Sequence, residues 1–274
     1  MKQKNVSVDG HGVAYWEANS NEPESVILLH GLGGDHRGLI EFSSYFPSLR
    51  VIIPDLPGWG LSEPLDKTHD VKDYVSFLDQ FSKQLGLTNF YLVGHSFGGA
   101  VALKYTKTYP QKIKKVALLN PVLENSGTIS WVFGRGYFNL AALLPDKLCH
   151  FLLSNKLIVY VSDMVVMTPE RKEYRKKILT QDYRNYKNAN TRAMKEGFRA
   201  LDNLDMEDFS IDIGKDVYFL VGDKDKLQSP KYNEKLERIF ANSLVKFVPG
   251  GHLLPLEDPE LAGSNVSRFI AGEA

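Results

Sequence analysis

Five short stretches constrain this chain more than anything else in it: SVILLHG (Ser25 to Gly31), RVIIPD (Arg50 to Asp55), FYLVGH (Phe90 to His95), KVALLNP (Lys115 to Pro121) and DVYFLVGD (Asp216 to Asp223). Each is a continuous apolar run rather than an alternating one, which is the pattern of a strand covered on both faces. Such strands need helices above and below them, so the runs predict a mostly parallel sheet in an α/β fold. The segments between them agree. Asp70 to Gly86 sets Val71, Tyr74, Val75, Leu78, Phe81 and Leu85 at helical spacing, with Asp70 as a cap and Gly86 as a stop. Asn5 to Val8 and Val13 to Ala18, split by Asp9-Gly10, read as an opening hairpin, and Leu244 to Val248 as a last strand.

The rhythm breaks between Val122 and Asp205. This span lacks clear strands and holds long helix-like runs, one opening at Thr168-Pro169-Glu170, where proline suits a first helical position. The expected organisation is one core domain, residues 1–121 and 206–274, interrupted by a helical insertion, 122–205. From Glu170 to Ala200 ten Lys or Arg face four Asp or Glu, a pattern that fits a solvated helical face. Trp131 to Val166 is strongly apolar, but Arg135, Asp146, Lys147, His150, Lys156 and Asp163 interrupt it too often for a membrane span. The chain has 33 basic and 33 acidic residues, so no overall field draws it to nucleic acid or to an anionic membrane. A lone cysteine, Cys149, excludes an internal disulfide and a cysteine-rich metal cluster, and reads as a small buried apolar residue. With no apolar leader near Met1, the expected compartment is cytoplasmic.

Gly94-His95-Ser96-Phe97-Gly98 matches G-x-S-x-G between a predicted strand and a predicted helix. A strand that turns sharply into a helix strains the corner residue, and bulky neighbours at 94 and 98 would collide there. Ser96 is thereby pushed out at the carboxyl edge of the sheet. The backbone of Phe97 then sits at a helix N-terminus, where free N–H groups favour developing negative charge. A serine hydroxyl needs a base. His252 follows the last strand and two glycines, on a loop at the same edge, whereas His95 is squeezed against the turn. The carboxylate that orients such a base belongs after the preceding strand, where Gly222-Asp223-Lys224-Asp225 offers two candidates.

With His30-Gly31-Leu32-Gly33-Gly34, Asp55-Leu56-Pro57-Gly58-Trp59-Gly60-Leu61-Ser62 and Gly250-Gly251-His252 added, the chain resembles α/β-hydrolase fold enzymes from about Val13 to its C-terminal helix, the insertion excepted. The resemblance implies a helical cap inserted after the sixth strand and the order nucleophile, acid, histidine: Ser96, Asp225, His252. It favours Asp225 over Asp223, with Glu124 as the acid that some relatives carry after the sixth strand. It makes the main-chain N–H of Leu32 the second oxyanion donor beside Phe97. The implied activity is hydrolysis of a small to medium apolar carboxylic ester, with a small molecule as partner, no cofactor and no metal site. A carbon–carbon hydrolase of ring-cleavage products and a ligand sensor on the same fold are the alternatives. The roof of the pocket is expected from an apolar pool: Trp131, Phe133, Tyr137, Phe138, Leu143, Leu144, Leu148, Phe151 and Leu152.

Overall fold

A computed structural model of the chain describes residues 1–168, 172–210 and 216–273. Its strands are β1 (Lys2–Val8), β2 (His11–Ala18), β3 (Ser25–Leu29), β4 (Arg50–Pro54), β5 (Phe90–His95), β6 (Ile113–Leu119), β7 (Asp216–Gly222) and β8 (Leu244–Val248). They form one sheet of order β1-β2-β4-β3-β5-β6-β7-β8. The pairs β1–β2 and β2–β4 are antiparallel, and every other pair is parallel. The first two strands are joined by Asp9 and Gly10, both at positive φ, the two-residue turn whose twist matches that of the strands it joins.

The helices are α1 (Ile40–Ser43), α2 (Val71–Gln84), α3 (Phe97–Thr108), α4 (Ile129–Ala142), α5 (Asp146–Leu153), α6 (Lys156–Val166), α7 (Lys172–Asn188), α8 (Thr191–Asp202), α9 (Pro230–Ile239), α10 (Leu254–Glu257) and α11 (Pro259–Ala271). Asp70 caps α2 by accepting from the Asp73 amide at 2.8 Å. The continuous apolar runs have their reason in the layering. On β3, Ile27 and Leu29 pack into one core with α2 and α3, while Val26 and Leu28 pack into the other with α1 and α11. Leu92 and Val93 on β5, and Phe219 and Leu220 on β7, divide in the same way.

Among the described residues five helices, α4 to α8, fall between β6 and β7, where the insertion was expected. Pro169 and Glu170, expected to open a helix, lie outside the described residues. Trp131 and Phe133 belong to α4, but their side chains also lie outside the description. The chain passes from β3 outward to β4 and then crosses back to β5 on the other side of β3, a reversal that opens a crevice above the carboxyl ends of the central strands. His30, Ser96, Asn120, Asp225 and His252 all follow strands that end at this edge.

Candidate active site

Ser96 occupies the single residue between β5 and α3, with φ 54° and ψ −120°. A non-glycine residue at such angles is strained, and the strain is held by the packing around it. A Cβ on Gly94 would lie 2.3 Å from the Gly98 carbonyl oxygen, and one on Gly98 would lie 2.5 Å from that of His30. Both clashes are with backbone, which is why the corner takes glycine on each side. The Ser96 amide donates to the Leu119 carbonyl at 3.0 Å, which ties the corner to the neighbouring strand. Phe97, the first residue of α3, has an N–H without an acceptor inside the helix, while its ring packs edge-on against Tyr74. Gly31 backs directly onto Ser96, so Leu32 stands beside the serine at the tip of a turn closed by the Gly34 amide on the Gly31 carbonyl.

His252 Nε2 lies 2.9 Å from Ser96 Oγ, and its Nδ1 lies 2.7 Å from Asp225 Oδ2. Both partners of the serine are buried, His252 to 4% exposure. Asp225 Oδ1 accepts from the Leu227 amide at 2.8 Å, leaving Oδ2 to the imidazole. The other two carboxylates go elsewhere. Asp223 Oδ1 accepts from the Gly250 amide at 3.2 Å, and Glu124 pairs with Lys235 at 2.5 Å.

The loop carrying His252 is held from four sides. Its carbonyl accepts from His95 Nε2 at 2.8 Å and from Asn120 Nδ2 at 2.9 Å, and its amide donates to the Val166 carbonyl at the end of α6 at 3.1 Å. Glu257 accepts from the Gly251 and Leu253 amides on either side. Because the His252 carbonyl is an acceptor only, His95 carries its proton on Nε2. Burial first, then the neighbouring His252, pulls the His95 pKa down to about 3, so its ring stays neutral. His30 is held neutral chiefly by burial; its Nδ1 donates to the Gly31 carbonyl at 2.8 Å and its Nε2 accepts from the Leu56 amide at 2.9 Å. Asn120 and Glu257 were missed by sequence reasoning. Asn120 sits at φ 43° directly after β6, and its Oδ1 accepts from the Gly222 amide at 2.7 Å. It therefore binds the ends of β7 and of the histidine loop together, a role that a single Asn before Pro121 does not announce.

Ser96 and His252 open into a cavity of about 510 Å³. Leu32, Val122, Ile158, Val165, Phe198 and Leu253 supply apolar wall, with Tyr137 and Phe138 from the expected pool. Leu143, Leu148 and Phe151 of that pool instead face solvent, and Leu144 and Leu152 pack against the core. The wall also carries polar groups. Arg135 reaches it, paired with Asp202 at 2.8 Å, as do Asn139, Asp163, Gln181 and Asp182. Asp163 on α6 and Asp182 on α7 are hydrogen-bonded carboxyls held well above the usual carboxylate range, chiefly by burial and, for Asp163, by the charge of Asp182. Among the described residues, the side chains placed to hold a metal are Asp35, His36 and Asp55. Their atoms are already engaged: Asp55 accepts from the His36 ring at 2.8 Å and the Leu61 amide at 2.8 Å, and Asp35 accepts from Arg37 Nε at 2.9 Å.

A serine on a strained strand-to-helix corner, reached by a histidine from the end of the same parallel sheet, agrees with the match of residues 24–259 to the alpha/beta hydrolase fold. The chain belongs to the α/β hydrolase family. It is 25% identical over 281 residues, 98% of this chain and 99% of the relative, to a putative 2-succinyl-6-hydroxy-2,4-cyclohexadiene-1-carboxylate synthase of Bacillus subtilis. It is 29% identical over 176 residues, 62% of this chain and 61% of the relative, to a 2-hydroxy-6-oxononadienedioate/2-hydroxy-6-oxononatrienedioate hydrolase of Burkholderia vietnamiensis. Other curated relatives are matched over shorter stretches, and the chain spans as little as 31% of their length. Among solved structures, a thermophilic esterase from Thermogutta terrifontis superposes with a TM-score of 0.81 at 17% identity, covering 100% of this chain and 99% of that one. This last likeness is one of fold.

Proposed function

We propose that this α/β hydrolase cleaves a small to medium apolar carboxylic ester through an acyl-enzyme on Ser96. The observation that carries the reading is the unbroken run of hydrogen bonds from Asp225 through His252 to Ser96 Oγ at a cavity wall. His252 Nε2 takes the hydroxyl proton as Oγ bonds to the ester carbon, and Asp225 stabilises the imidazolium. The N–H groups of Leu32 and Phe97 receive the oxyanion. As the carbon–oxygen bond breaks, the imidazolium passes its proton to the departing alcohol. Water then repeats the sequence: His252 removes its proton, the acid leaves, and Ser96 recovers its own. A cavity of about 510 Å³ suits a ligand of drug-like size.

A carbon–carbon hydrolase is the second reading, favoured by the polar positions Arg135 and Asn139 in the wall and by the activity for which the Burkholderia relative is named. The test is a fluorophosphonate probe followed by turnover of p-nitrophenyl esters and of a dienone. Labelling that Ser96→Ala abolishes, with ester turnover well above dienone turnover, is the expected result. The reverse order of rates sinks the ester reading, and labelling of another serine sinks the nucleophile. Labelling without turnover of either substrate points to a sensor.

A further inference from the structure

We infer that the outer face of α4, α5 and α6 docks on an anionic lipid surface, with the mouth of the Ser96 cavity set into that face. Leu140, Leu143, Phe151, Leu157, Val161 and Met164 are each more than half exposed. They fall within 25 consecutive positions, whereas the other exposed large apolar side chains among the described residues outside that stretch are Met1, Ile40, Leu61, Leu244 and Phe247. Isolated exposed apolar residues are ordinary; a concentration of them marks a surface that meets something apolar. On α6 the members stand at 157, 161 and 164, one face of the helix. Val161 is both exposed and part of the cavity wall, so the apolar face runs into the mouth. No single described helix is long and apolar enough to cross a membrane, but α5 and α6 taken together have that composition, bent at 50°.

Charge decides between the possible occupants. The molecule is neutral overall, and α4 to α6 carry Arg135, Lys147 and Lys156 against Asp146 and Asp163. Lys147 precedes Leu148 on α5 and Lys156 precedes Leu157 on α6, both exposed. The two acids of the stretch are turned to other work: Asp146 pairs with Lys195 at 2.8 Å, and Asp163 is buried against Asp182. A second copy of the chain brings no matching cluster of carboxylates to the exposed Lys147 and Lys156. Anionic headgroups complement them, with lysine stems lying along the apolar surface and their ammonium groups at the headgroup level.

The inference takes from the proposed function only what the mouth leads to, so its test uses Ser96→Ala chain and reads binding rather than turnover. The chain is co-sedimented with vesicles of phosphatidylcholine alone and of phosphatidylcholine mixed with phosphatidylglycerol. Binding to the anionic vesicles should be stronger by about thirtyfold, the effect of two lysines near such a surface, and should weaken in high salt. Lys147→Glu with Lys156→Glu should erase the preference. Leu143→Ser, Phe151→Ser, Leu157→Ser and Met164→Ser combined should reduce binding at least about tenfold. In the Ser96-containing chain the same four changes should leave turnover of a soluble ester intact, since none of them lines the cavity. Failure to bind either vesicle, or binding that ignores the four changes, overturns the inference. So does a dimer in solution that the four changes dissociate, which would make the face a self-association surface.

Discussion

His252 is positioned by main-chain atoms as much as by its ring: three hydrogen bonds to its own backbone and two to the imidazole leave it one orientation. Asp225 fixes the last freedom, the tautomer. Asp225→Asn should therefore lower kcat by about three to four orders of magnitude with the thermal melt unchanged, because the amide can hold the ring with its proton on the wrong nitrogen. Asp223→Asn and Glu124→Gln should each cost less than about tenfold, since one only steadies the Gly250 amide and the other pairs with Lys235. A severe loss at either position with a mild one at Asp225 would reverse the assignment. Much of this arrangement was readable from the sequence because it needs special local backbone: glycines at 94 and 98, paired glycines before His252, two aspartates after an apolar strand. Asn120 and Glu257 were not readable. Their work is to satisfy buried backbone groups brought together by folding, and no spacing in the chain records which amides those will be.

The corner between β5 and α3 shows how far an element depends on one missing side chain. Gly98→Ala would press a methyl group onto the Leu29 and His30 carbonyls, at 2.6 and 2.5 Å, and neither can rotate away. The expected cost is about 1–3 kcal/mol, seen as a melting temperature lowered by several degrees; a melt equal to wild type would show that the β3 end yields. Between α6 and α7 the balance is electrostatic. Asp163 and Asp182 face each other, with Asp35 adding like charge to Asp182, Arg37 opposing it, and Tyr186 packed beside both. In the unfolded chain both carboxyls ionise near pH 4, whereas burial keeps the folded pair protonated above that range. Stability from this pair is whole below about pH 4 and is lost as the pH rises from there through the folded values. Asp163→Asn should thus flatten the fall in melting temperature between about pH 5 and about pH 9; parallel curves for the two proteins would remove the pair from the account. The pair was hidden in the sequence because Asp163 and Asp182 sit in an apolar and a basic stretch respectively, and only the packing of α6 on α7 puts them together.

At the scale of the molecule, the parallel sheet was legible because burial on both faces leaves unbroken apolar runs, while the span 122–205 was legible only as helices. An amphipathic helix in the insertion has two apolar destinations, core and cavity, and here a third, the surface, so Leu143 and Phe151 read alike with Tyr137 and Phe138 in sequence and part company in space. This bears on the expected substrate profile. Within the cavity each added methylene should raise kcat/KM by roughly fourfold, about 0.8 kcal/mol per carbon. Beyond the mouth at Val161 a longer chain gains no further cavity wall, so the rise from acetate upward should stop at medium-length acyl groups. A sharp fall after a few carbons would mean a sealed roof.

The hydrogen bond from the His252 amide to the Val166 carbonyl joins the loop that carries His252 to the last turn of the helix that borders the entrance. An entrance widened by lifting α6 would slacken the loop at the same moment, so, on the proposed mechanism, admission and reaction would alternate and a half-entered substrate would meet a disengaged His252. Hydrogen exchange would register this as a His252 amide that opens at the rate of the α6 amides; a His252 amide that stays protected while α6 exchanges freely would show that the two move independently.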